Sequence, residues 1–453
     1  MGKYFGTDGI RGKVGELLTP TLSYKIGKFL GWYLKNSLKK TPTAVIGKDT
    51  RLSSDTLELA FATGLLEGGA NVHFMGVTTT PSVSFATLKG GFDLGIVISA
   101  SHNPYYDNGI KLLNSRGEKL QDEITDKIEA YLDNGLEIPR KQDDSASLRY
   151  GRAFDYSRGV ISYLSYLIST VKTPFDGLKI GLDTANGAAF EIAKRAFLAL
   201  GATVLVINDK PNGVNINEGA GSLHTEGLCQ LVLEKGLDMG FAFDGDGDRC
   251  IAVSRTGKVI DGDGILYILA RDFMTQGALK GNKIALTVMS NMGLVSALDR
   301  EGIKCVQTAV GDRFVYEEMV KEDLSLGGEQ SGHIILRDYM NTGDGILTAL
   351  KLAELVARDK TDLEGLEKGF SPLPQVNLSI KVKNKEAILK SSDVRAVIDR
   401  CEKRLSGQGR LIVRASGTEE KIRVSVEAPT VRECDEIQEI IMDSIKKFSK
   451  ESY

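Results

Sequence analysis

The sequence predicts an α/β protein with three consecutive mixed α/β domains, followed by a smaller α+β C-terminal domain, around a central cleft. Two observations support this prediction. Short apolar runs alternate with segments of helical periodicity in three successive stretches of chain, which is typical of largely parallel sheets. In addition, 453 residues are too many for one hydrophobic core, so about three or four domains are expected.

The composition is that of an ordinary globular protein. Hydrophobic residues make up 42% of the chain and charged residues 26%, and no apolar run approaches the ~18 residues of a membrane span. The first residues lack the apolar core of a signal peptide, so we expect a cytoplasmic protein without a membrane partner. A net charge of -3 gives no general attraction for nucleic acid. Five scattered cysteines without a C-x-x-C pair predict neither a zinc site nor a redox couple.

The first predicted domain, residues 1–152, begins with a clear helix signal. Thr19 can cap this helix and Pro20 suits its first turn, and an apolar stripe follows. The other elements predicted here are a strand at 43–47, a helix at 55–67 and strands at 72–75 and 94–99. A polar stretch at residues 134–152 predicts the first junction between domains.

The next two predicted domains, 153–254 and 255–370, repeat the alternation. Their expected elements are strands at 179–182, 203–207, 239–243 and 283–288, and helices at 188–200 and 293–300. After Pro372 and Pro374 the order changes to strand, helix, two strands and a final helix, which suits a small α+β domain at 371–453. The final helix has apolar residues at helical spacing that we expect in the core: Ile437, Ile440, Ile441, Ile445 and Phe448.

Three aspartates, Asp244, Asp246 and Asp248, alternate with glycines between two apolar runs. Carboxylates that can turn toward one point need a cation, and hard oxygen ligands select Mg²⁺ or Ca²⁺ over softer metals. An EF-hand is excluded, because Arg249 and Arg255 stand where that loop requires Gly and Glu. Since apolar runs flank the motif on both sides, a merely solvated acidic turn is a poor alternative.

Ser101 follows the predicted strand at 94–99 in a Ser-His-Asn-Pro sequence. Ligands of open α/β sheets collect at these carboxyl ends of strands. A serine hydroxyl there can act as a nucleophile or carry a phosphoryl group, whose charge of about -1.5 to -2 a metal would offset. Taken alone, the sequence is equally compatible with an ordinary turn, and its position after a strand favours a functional loop.

Three further loops combine glycine with polar side chains. Arg414 begins a loop at residues 414–419 with a guanidinium, two hydroxyls and a glycine, the parts of a phosphate cradle. The loop at 327–333 offers polar groups suited to sugar hydroxyls. Arg11 lies between two glycines near the amino terminus and is weak evidence alone. Ordinary turns remain an alternative for each loop.

Taken together, these motifs resemble those of the α-D-phosphohexomutases. The matching segments appear in family order and span the chain, at residues 5–12, 99–104, 244–249, 328–333 and 414–419. The resemblance implies that the four domains carry, in order, a phosphoserine loop, a metal-binding loop, a sugar-recognition loop and a phosphate-binding loop. It also implies an isomerase that acts on a hexose phosphate by phosphoryl transfer.

The resemblance implies a role for each matching residue. Ser101 would carry the phosphoryl group and, with Asp244, Asp246 and Asp248, bind one Mg²⁺ per active site. The other implied catalytic residues are Arg11, Lys111 and His102. The implied substrate-binding residues are Arg249, Glu329, Ser331, His333, Arg414, Ser416, Gly417, Thr418 and Arg423.

Two features are similar to the glucosamine branch of that family: Gln330 and the sequence at 310–313. They predict a glucosamine phosphate as the small-molecule partner and glucosamine 1,6-bisphosphate as the intermediate. Activity on glucose or mannose phosphates, and a metal-dependent sugar phosphatase, remain alternatives. Asp312 could also simply cap the helix that begins near Phe314. The sequence departs from the family at Glu420, where Pro is usual, and only partly matches it at 219–224.

Other classes of enzyme are disfavoured. A serine hydrolase would need a G-x-S-x-G motif, which is missing, and His102 is poorly placed as a base because it is adjacent to Ser101. A kinase of the P-loop type is disfavoured because the chain has no P-loop sequence. A non-catalytic sugar-phosphate sensor would not need the three aspartates.

Overall fold

The computed structural model describes residues 2–6, 8–136, 138, 150–405, 407–415 and 420–451. Much of the predicted junction at 134–152 lies outside these residues. The contacts divide the chain into two compact units. The first unit comprises Met1–Met289 and Cys305–Lys368, and the second comprises Ser290–Lys304 and Gly369–Tyr453.

The first stretch of chain builds a mostly parallel sheet with helices. Its elements are β1 (Ile10–Lys13), α1 (Pro20–Leu38), β2 (Thr43–Lys48), α2 (Ser54–Glu67), β3 (Asn71–Val77), α3 (Thr80–Lys89), β4 (Leu94–Ile98), β5 (Asp107–Leu113), α4 (Asp122–Leu132) and β6 (Ala153–Asp155). The strand order is β1-β5-β4-β2-β3-β6, and β5 is antiparallel to both of its neighbours. The hydroxyl of Thr19 accepts a hydrogen bond from the Leu22 amide at 3.1 Å, which confirms the predicted helix cap.

The second stretch forms another sheet with helices. Its elements are α5 (Arg158–Ser169), β7 (Lys179–Asp183), α6 (Ile192–Ala199), β8 (Thr203–Ile207), α7 (Glu226–Lys235), β9 (Met239–Phe243), β10 (Cys250–Ser254) and β11 (Val259–Ile260). The strand order is β11-β10-β9-β7-β8. Strands β8, β7 and β9 are parallel, whereas β10 returns antiparallel to β9. The aspartate motif is the connection between β9 and β10.

The third stretch repeats the architecture with a smaller sheet. Its elements are α8 (Gly262–Thr275), β12 (Lys283–Thr287), α9 (Met292–Arg300), β13 (Lys304–Thr308), α10 (Asp312–Lys321), β14 (Leu326–Gly328), β15 (Ile334–Leu336), α11 (Gly345–Asp359) and α12 (Leu363–Glu367). The strand order is β13-β12-β14-β15. Strands β12 and β14 are parallel, and the turn from β14 to β15 carries the predicted sugar loop.

The second unit contains α9 and the C-terminal elements. These are β16 (Gln375–Lys381), α13 (Lys385–Lys390), α14 (Ser392–Leu405), β17 (Arg410–Ala415), β18 (Lys421–Glu427) and α15 (Val431–Glu451). The strands form an antiparallel sheet in the order β16-β18-β17. Of the predicted core residues of α15, Ile437, Ile441 and Ile445 are buried. The prediction was wrong for Ile440, which is 40% exposed.

The predicted fold class, three mixed α/β domains followed by a smaller α+β domain, is confirmed. The domain boundaries stay predictions. Strand β6 pairs with β3 in the first sheet, although it lies beyond the boundary placed at residue 152. Among the described residues, no helix combines the length and the apolar character needed to cross a membrane.

Candidate active site

Ser101 lies at the carboxyl end of β4 and is 2% exposed. Its hydroxyl donates a hydrogen bond to Asp244 Oδ2 at 2.5 Å, so the serine loop meets the aspartate loop directly. Its backbone has a φ of +53°, in the left-handed region that residues with a side chain rarely adopt. Such a conformation costs about 1–3 kcal/mol and persists only where the surroundings impose it.

A buried ion pair imposes this conformation. Arg51 and Asp49 lie just after β2, and both side chains are fully buried, with Nε 2.8 Å from Oδ2. Arg51 Nη1 donates to the carbonyl of Pro104, and Arg51 Nη2 donates to the carbonyls of Ser101 and Asn103. Because one rigid guanidinium holds three carbonyls of the loop, the direction of the Ser101 peptide is fixed.

Two more side chains complete the support of the serine loop. Asp49 Oδ2 accepts a hydrogen bond from the Ser99 hydroxyl at 2.6 Å, and Ser99 Oγ in turn accepts one from the Ser101 amide at 2.9 Å. Asn217 donates to the Ser101 carbonyl at 2.9 Å and to the Asn103 carbonyl at 3.0 Å. The loop is therefore held from both the first and the second predicted domains.

The three aspartates among the predicted metal ligands converge. Carboxylate oxygens of Asp244, Asp246 and Asp248 lie within 4.8 Å of one another, and all three residues are buried. Burial and the charges of Asp248 and Asp246 raise the pKa of Asp244 well above its ordinary value. Three close, buried carboxylates thus repel one another unless a cation neutralises them.

The donor set fits a hard divalent cation. Asp246 Oδ1 and Asp248 Oδ1 are buried and have no hydrogen-bond partner among the described residues. A buried carboxylate oxygen without a partner is costly, and ligation of a metal would satisfy it. The fourth candidate ligand is the Ser101 hydroxyl, which lies against Asp244. All four candidate ligands are therefore oxygens, and oxygen ligands suit Mg²⁺ or Ca²⁺.

Two cations lie beside this cluster. Lys111, on β5, places Nζ 2.8 Å from Asp246 Oδ2 and 3.1 Å from Asp248 Oδ2. Burial opposes its charge, but these carboxylates and Asp8 raise the pKa of Lys111 well above its ordinary value. Arg11, on β1, pairs with Asp8 at 3.0 Å and approaches Asn103 Oδ1 at 3.4 Å. The antiparallel pairing of β1 with β5 brings both cations to the serine loop.

His102 is close to Ser101 but poorly suited to activate it. Its Nδ1 lies 3.3 Å from Ser101 Oγ, although the two residues are adjacent in sequence. Burial, together with Arg249 and Arg11, lowers the pKa of His102 to about 3. The imidazole is therefore neutral and weakly basic at neutral pH, and the serine hydroxyl donates to Asp244 instead.

The predicted sugar loop reaches the same region through His333. This residue is 4% exposed, and its Nδ1 lies 3.6 Å from Asp248 Oδ1. Burial opposes protonation, but Asp248, Asp312 and Glu329 outweigh it and raise the pKa of His333 to about 9. Glu329 accepts a hydrogen bond from the Gly311 amide at 3.2 Å, and burial raises its pKa. Ser331 is exposed.

Arg249 and a neighbouring cavity extend the site. Arg249 Nε is buried, has no hydrogen-bond partner in the described part of the chain, and lies 3.9 Å from Asp248 Oδ1. A cavity of about 710 Å³ is lined by Lys111, Asp248 and His333 and opens between β5 and α10. Asp8, Lys119 and Asp312 also line it. The first unit thus has room for a small polar ligand beside the buried charges.

The predicted phosphate loop belongs to the second unit. Arg414 on β17 stands directly opposite Arg423 on β18. Burial and the charge of Arg423 lower the pKa of Arg414. Two guanidinium groups in facing positions on neighbouring strands repel each other, so an anion bound near them is favoured. The other predicted members of this loop, Ser416, Gly417 and Thr418, lie outside the described residues.

Sequence analysis missed several residues that shape this site. Asp49 and Arg51 follow β2, which is adjacent to β4, so polar residues after a predicted strand were the available signal. Asn217 had no such signal, because it lies in an irregular segment far from Ser101 in sequence. Asp312 is not a helix cap: Gly311 holds that position, and the Asp312 carboxylate contacts Lys119 at 2.6 Å.

Four domain profiles of the phosphoglucomutase/phosphomannomutase family match in order. They are alpha/beta/alpha domain I at residues 2–138, domain II at 158–257, domain III at 261–371 and the C-terminal domain at 378–444.

Similar chains extend over the whole sequence. A phosphoglucosamine mutase of Lachnospira eligens is 47% identical over 448 residues, covering 98% of this chain and 99% of the relative. A phosphoglucosamine mutase of Anoxybacillus flavithermus is also 47% identical, covering 99% of each chain.

Solved structures have the same fold. A phosphoglucomutase/phosphomannomutase family protein of Burkholderia thailandensis superposes with a TM-score of 0.81 at 25% identity, covering 98% of this chain and 97% of the other. The N-acetylphosphoglucosamine mutase of Aspergillus fumigatus, solved with GlcNAc-6P and magnesium, gives a TM-score of 0.67 at 16% identity, with 98% and 96% covered. With family profiles along nearly its full length and relatives 47% identical, this chain belongs to the phosphoglucomutase/phosphomannomutase family, the α-D-phosphohexomutases.

Proposed function

We propose that this chain is an isomerase that interconverts glucosamine 6-phosphate and glucosamine 1-phosphate. One observation carries the chemistry: the buried Ser101 hydroxyl lies 2.5 Å from Asp244, within a cluster of three carboxylates that calls for a cation. The choice of sugar rests on the relatives named phosphoglucosamine mutase, which match nearly the full chain. Gln330 and the sequence at 310–313 agree with that choice.

The proposed reaction has two phosphoryl transfers. Phosphorylated Ser101 gives its phosphoryl group to the C1 hydroxyl of glucosamine 6-phosphate. The bond from phosphorus to Ser101 Oγ breaks, a bond to the sugar oxygen forms, and the hydroxyl proton passes to Ser101 Oγ. The glucosamine 1,6-bisphosphate then rotates end over end within the site. Its 6-phosphoryl group moves to Ser101, the proton returns to the sugar, and glucosamine 1-phosphate is released.

The residues beside Ser101 suit this transfer. Phosphoryl transfer depends mainly on positioning and on neutralising charge on the phosphoryl oxygens. Arg11 and Lys111 are the cations available for that neutralisation, and both are held in place by Asp8. Asp244, Asp246 and Asp248 would hold Mg²⁺ with Ser101, and a bound Mg²⁺ supplies further neutralising charge. Since Ser101 is 2% exposed, little water can reach the phosphoserine.

The other loops would bind the substrate. The Glu329 carboxylate would accept hydrogen bonds from sugar hydroxyls, and the Ser331 hydroxyl would donate to them or accept from them, with His333 and Arg249 beside both. Arg414, with Arg423 and the loop residues Ser416, Gly417 and Thr418, would bind the phosphate that is not being transferred. A planar guanidinium suits this role, because it can form two parallel hydrogen bonds to one phosphate.

Two measurements on the purified wild-type protein test this function. Intact mass is recorded before and after incubation with glucosamine 1,6-bisphosphate, and the modified peptide is mapped. We expect one added phosphate, on Ser101. A coupled assay then compares kcat/KM for glucosamine, glucose and mannose phosphates, with the glucosamine substrate expected to be best.

Three different outcomes would each reject one part of the proposal. A better kcat/KM for glucose or mannose phosphate would reject the glucosamine assignment within the same family. Release of inorganic phosphate without formation of the 1-phosphate would replace the isomerase with a phosphatase. A phosphate mapped to a different residue would reject Ser101 as the carrier.

A further inference from the structure

Charged side chains of alternating sign form a closed ring beside the serine loop. Each member lies within 4 Å of the next, and the ring is drawn from all three predicted α/β domains. In order around the ring, the members are Asp8, Lys111, Asp248, His333, Asp312 and Lys119. We call this set the charge ring.

Asp8 is the member through which the ring meets the phosphoryl-transfer cations. Its Oδ2 lies 3.0 Å from Lys111 Nζ and 3.0 Å from Arg11 Nη2. Its Oδ1 lies 2.8 Å from Lys119 Nζ. One carboxylate therefore sets the spacing between Arg11 and Lys111, and Lys119 holds the far side of that carboxylate.

Asp312 is the member that joins the two halves of the ring. Its carboxylate contacts Lys119 Nζ through both oxygens, at 2.6 and 2.7 Å. Its Oδ2 also lies 3.6 Å from His333 Nε2, and the other ring nitrogen of His333 faces Asp248. Asp312 therefore does not contact Ser101 or the aspartate cluster directly. It contacts Lys119, which binds Asp8, and His333, which faces Asp248.

We propose that Asp312 is a positioning residue for phosphoryl transfer, an inference that rests on the proposed function. Through Lys119 and Asp8 it fixes Arg11 and Lys111, and through His333 it fixes the Asp248 carboxylate. Without its charge, Lys119 has Asp8 as its remaining partner in the ring and draws that carboxylate away from Lys111. The cations then stand farther from the position of the transferring group.

The attachment of α10 does not depend on Asp312. Arg313 makes two hydrogen bonds to the Asp122 carboxylate, at 2.5 and 2.8 Å. The Tyr316 hydroxyl donates to Glu118 at 2.8 Å. Gly311, rather than Asp312, is the N-terminal capping residue. Removing the Asp312 charge should therefore leave the helix in place.

The test compares Asp312→Asn with Asp122→Asn as a matched control in the full-length protein. Both changes neutralise an aspartate that pairs the first turn of α10 with the first predicted domain, but only Asp312 lies in the charge ring. We expect Asp312→Asn to lower kcat by about 10- to 100-fold with KM within about twofold, because misplacement near 1 Å has effects of that size. Asp122→Asn should keep the wild-type kcat. Asp312→Glu should recover part of the loss, since it retains the charge.

Lys119→Met provides a second route into the ring if Asp312→Asn does not fold. It should lower kcat to a similar extent, and the double variant should be no slower than the slower single variant, because both act through one network. The proposal would be overturned if the kcat loss of the double variant equalled the product of the two single losses. A wild-type kcat in Asp312→Asn, a raised KM with unchanged kcat, or an equal kcat loss in Asp122→Asn would also overturn it. An inactive wild-type enzyme would instead reject the proposed function itself.

Discussion

Gly245 provides the space in which the serine loop and the aspartate loop meet. A Cβ atom at this position would lie 2.6 Å from the Ser101 carbonyl oxygen and 2.9 Å from Asn217 Nδ2. The carbonyl cannot swing aside, because Arg51 and Asn217 both hold it. In Gly245→Ala the two loops must therefore separate by about 0.8 Å to restore an ordinary contact of about 3.4 Å.

This separation would lengthen the hydrogen bond between Ser101 and Asp244, which is now 2.5 Å long. A misplacement near 1 Å can reduce a rate about 100-fold, and overpacking a tight site costs about 1–3 kcal/mol of stability. We therefore expect Gly245→Ala to lower kcat by about 10- to 100-fold and to lower the melting temperature by a few degrees. The KM should change little, since the predicted sugar and phosphate loops are untouched.

The assay is the coupled formation of glucosamine 1-phosphate, with melting followed by differential scanning fluorimetry. Gly227→Ala is the matched control. Gly227 lies in α7, and the nearest atom to its Cβ position is Ile207 Cδ1 at 3.6 Å, which is an ordinary contact. That variant should keep the wild-type kcat and gain up to about 1 kcal/mol of stability. A kcat within twofold of wild type in Gly245→Ala would refute the reasoning from close approach.

Three other changes test separate parts of the site. Ser101→Ala should abolish turnover while the melting temperature stays within a few degrees, because it removes the phosphoryl carrier; activity and mass spectrometry of the purified variant measure this. Asp246→Asn should weaken binding of Mn²⁺, followed by electron paramagnetic resonance, and lower kcat far more than stability, since it removes one ligand charge. Arg414→Ala should raise the KM and release more free glucosamine 1,6-bisphosphate, quantified by mass spectrometry, while Ser101 can still be phosphorylated. Arg414→Lys should recover only part of the loss, because lysine lacks the planar fork.

Each of these has a contradicting outcome. Wild-type turnover in Ser101→Ala would exclude that residue as the carrier. Parallel losses of melting temperature and activity in Asp246→Asn, with Mn²⁺ binding unchanged, would favour a structural turn. An unchanged KM and unchanged release of bisphosphate in Arg414→Ala would remove the C-terminal loop from substrate binding.

The chemistry that lies within one short segment could be predicted from sequence. Asp244, Asp246 and Asp248 are separated by single glycines, and the strands on both sides were visible as apolar runs. Ser101 was placed correctly at the end of a strand because β4 is an uninterrupted apolar run. Local pattern is sufficient where the ligands and the strands that position them are neighbours in the chain.

The contacts of the supporting residues could not be predicted, because tertiary structure decides which groups they meet. Arg51 reaches the serine loop only because β2 and β4 are adjacent in the sheet. Asp312 was interpreted as a possible helix cap, but α10 already begins at that residue and Gly311 precedes it. Ile440 has the helical spacing of a core residue, yet α15 is covered on one side only. Spacing identifies a face, and packing decides how wide that face is.

The facing pair of Arg414 and Arg423 has a practical consequence for handling the protein. Like charges directly opposite each other weaken a strand pair, and an anion that binds the folded form between them restores stability by mass action. The second unit should therefore melt at a higher temperature in phosphate or sulfate than in chloride of equal ionic strength. The same inorganic anions would occupy the position proposed for the sugar phosphate. A buffer chosen to preserve the protein during purification would thus act as a competitive inhibitor in the assay.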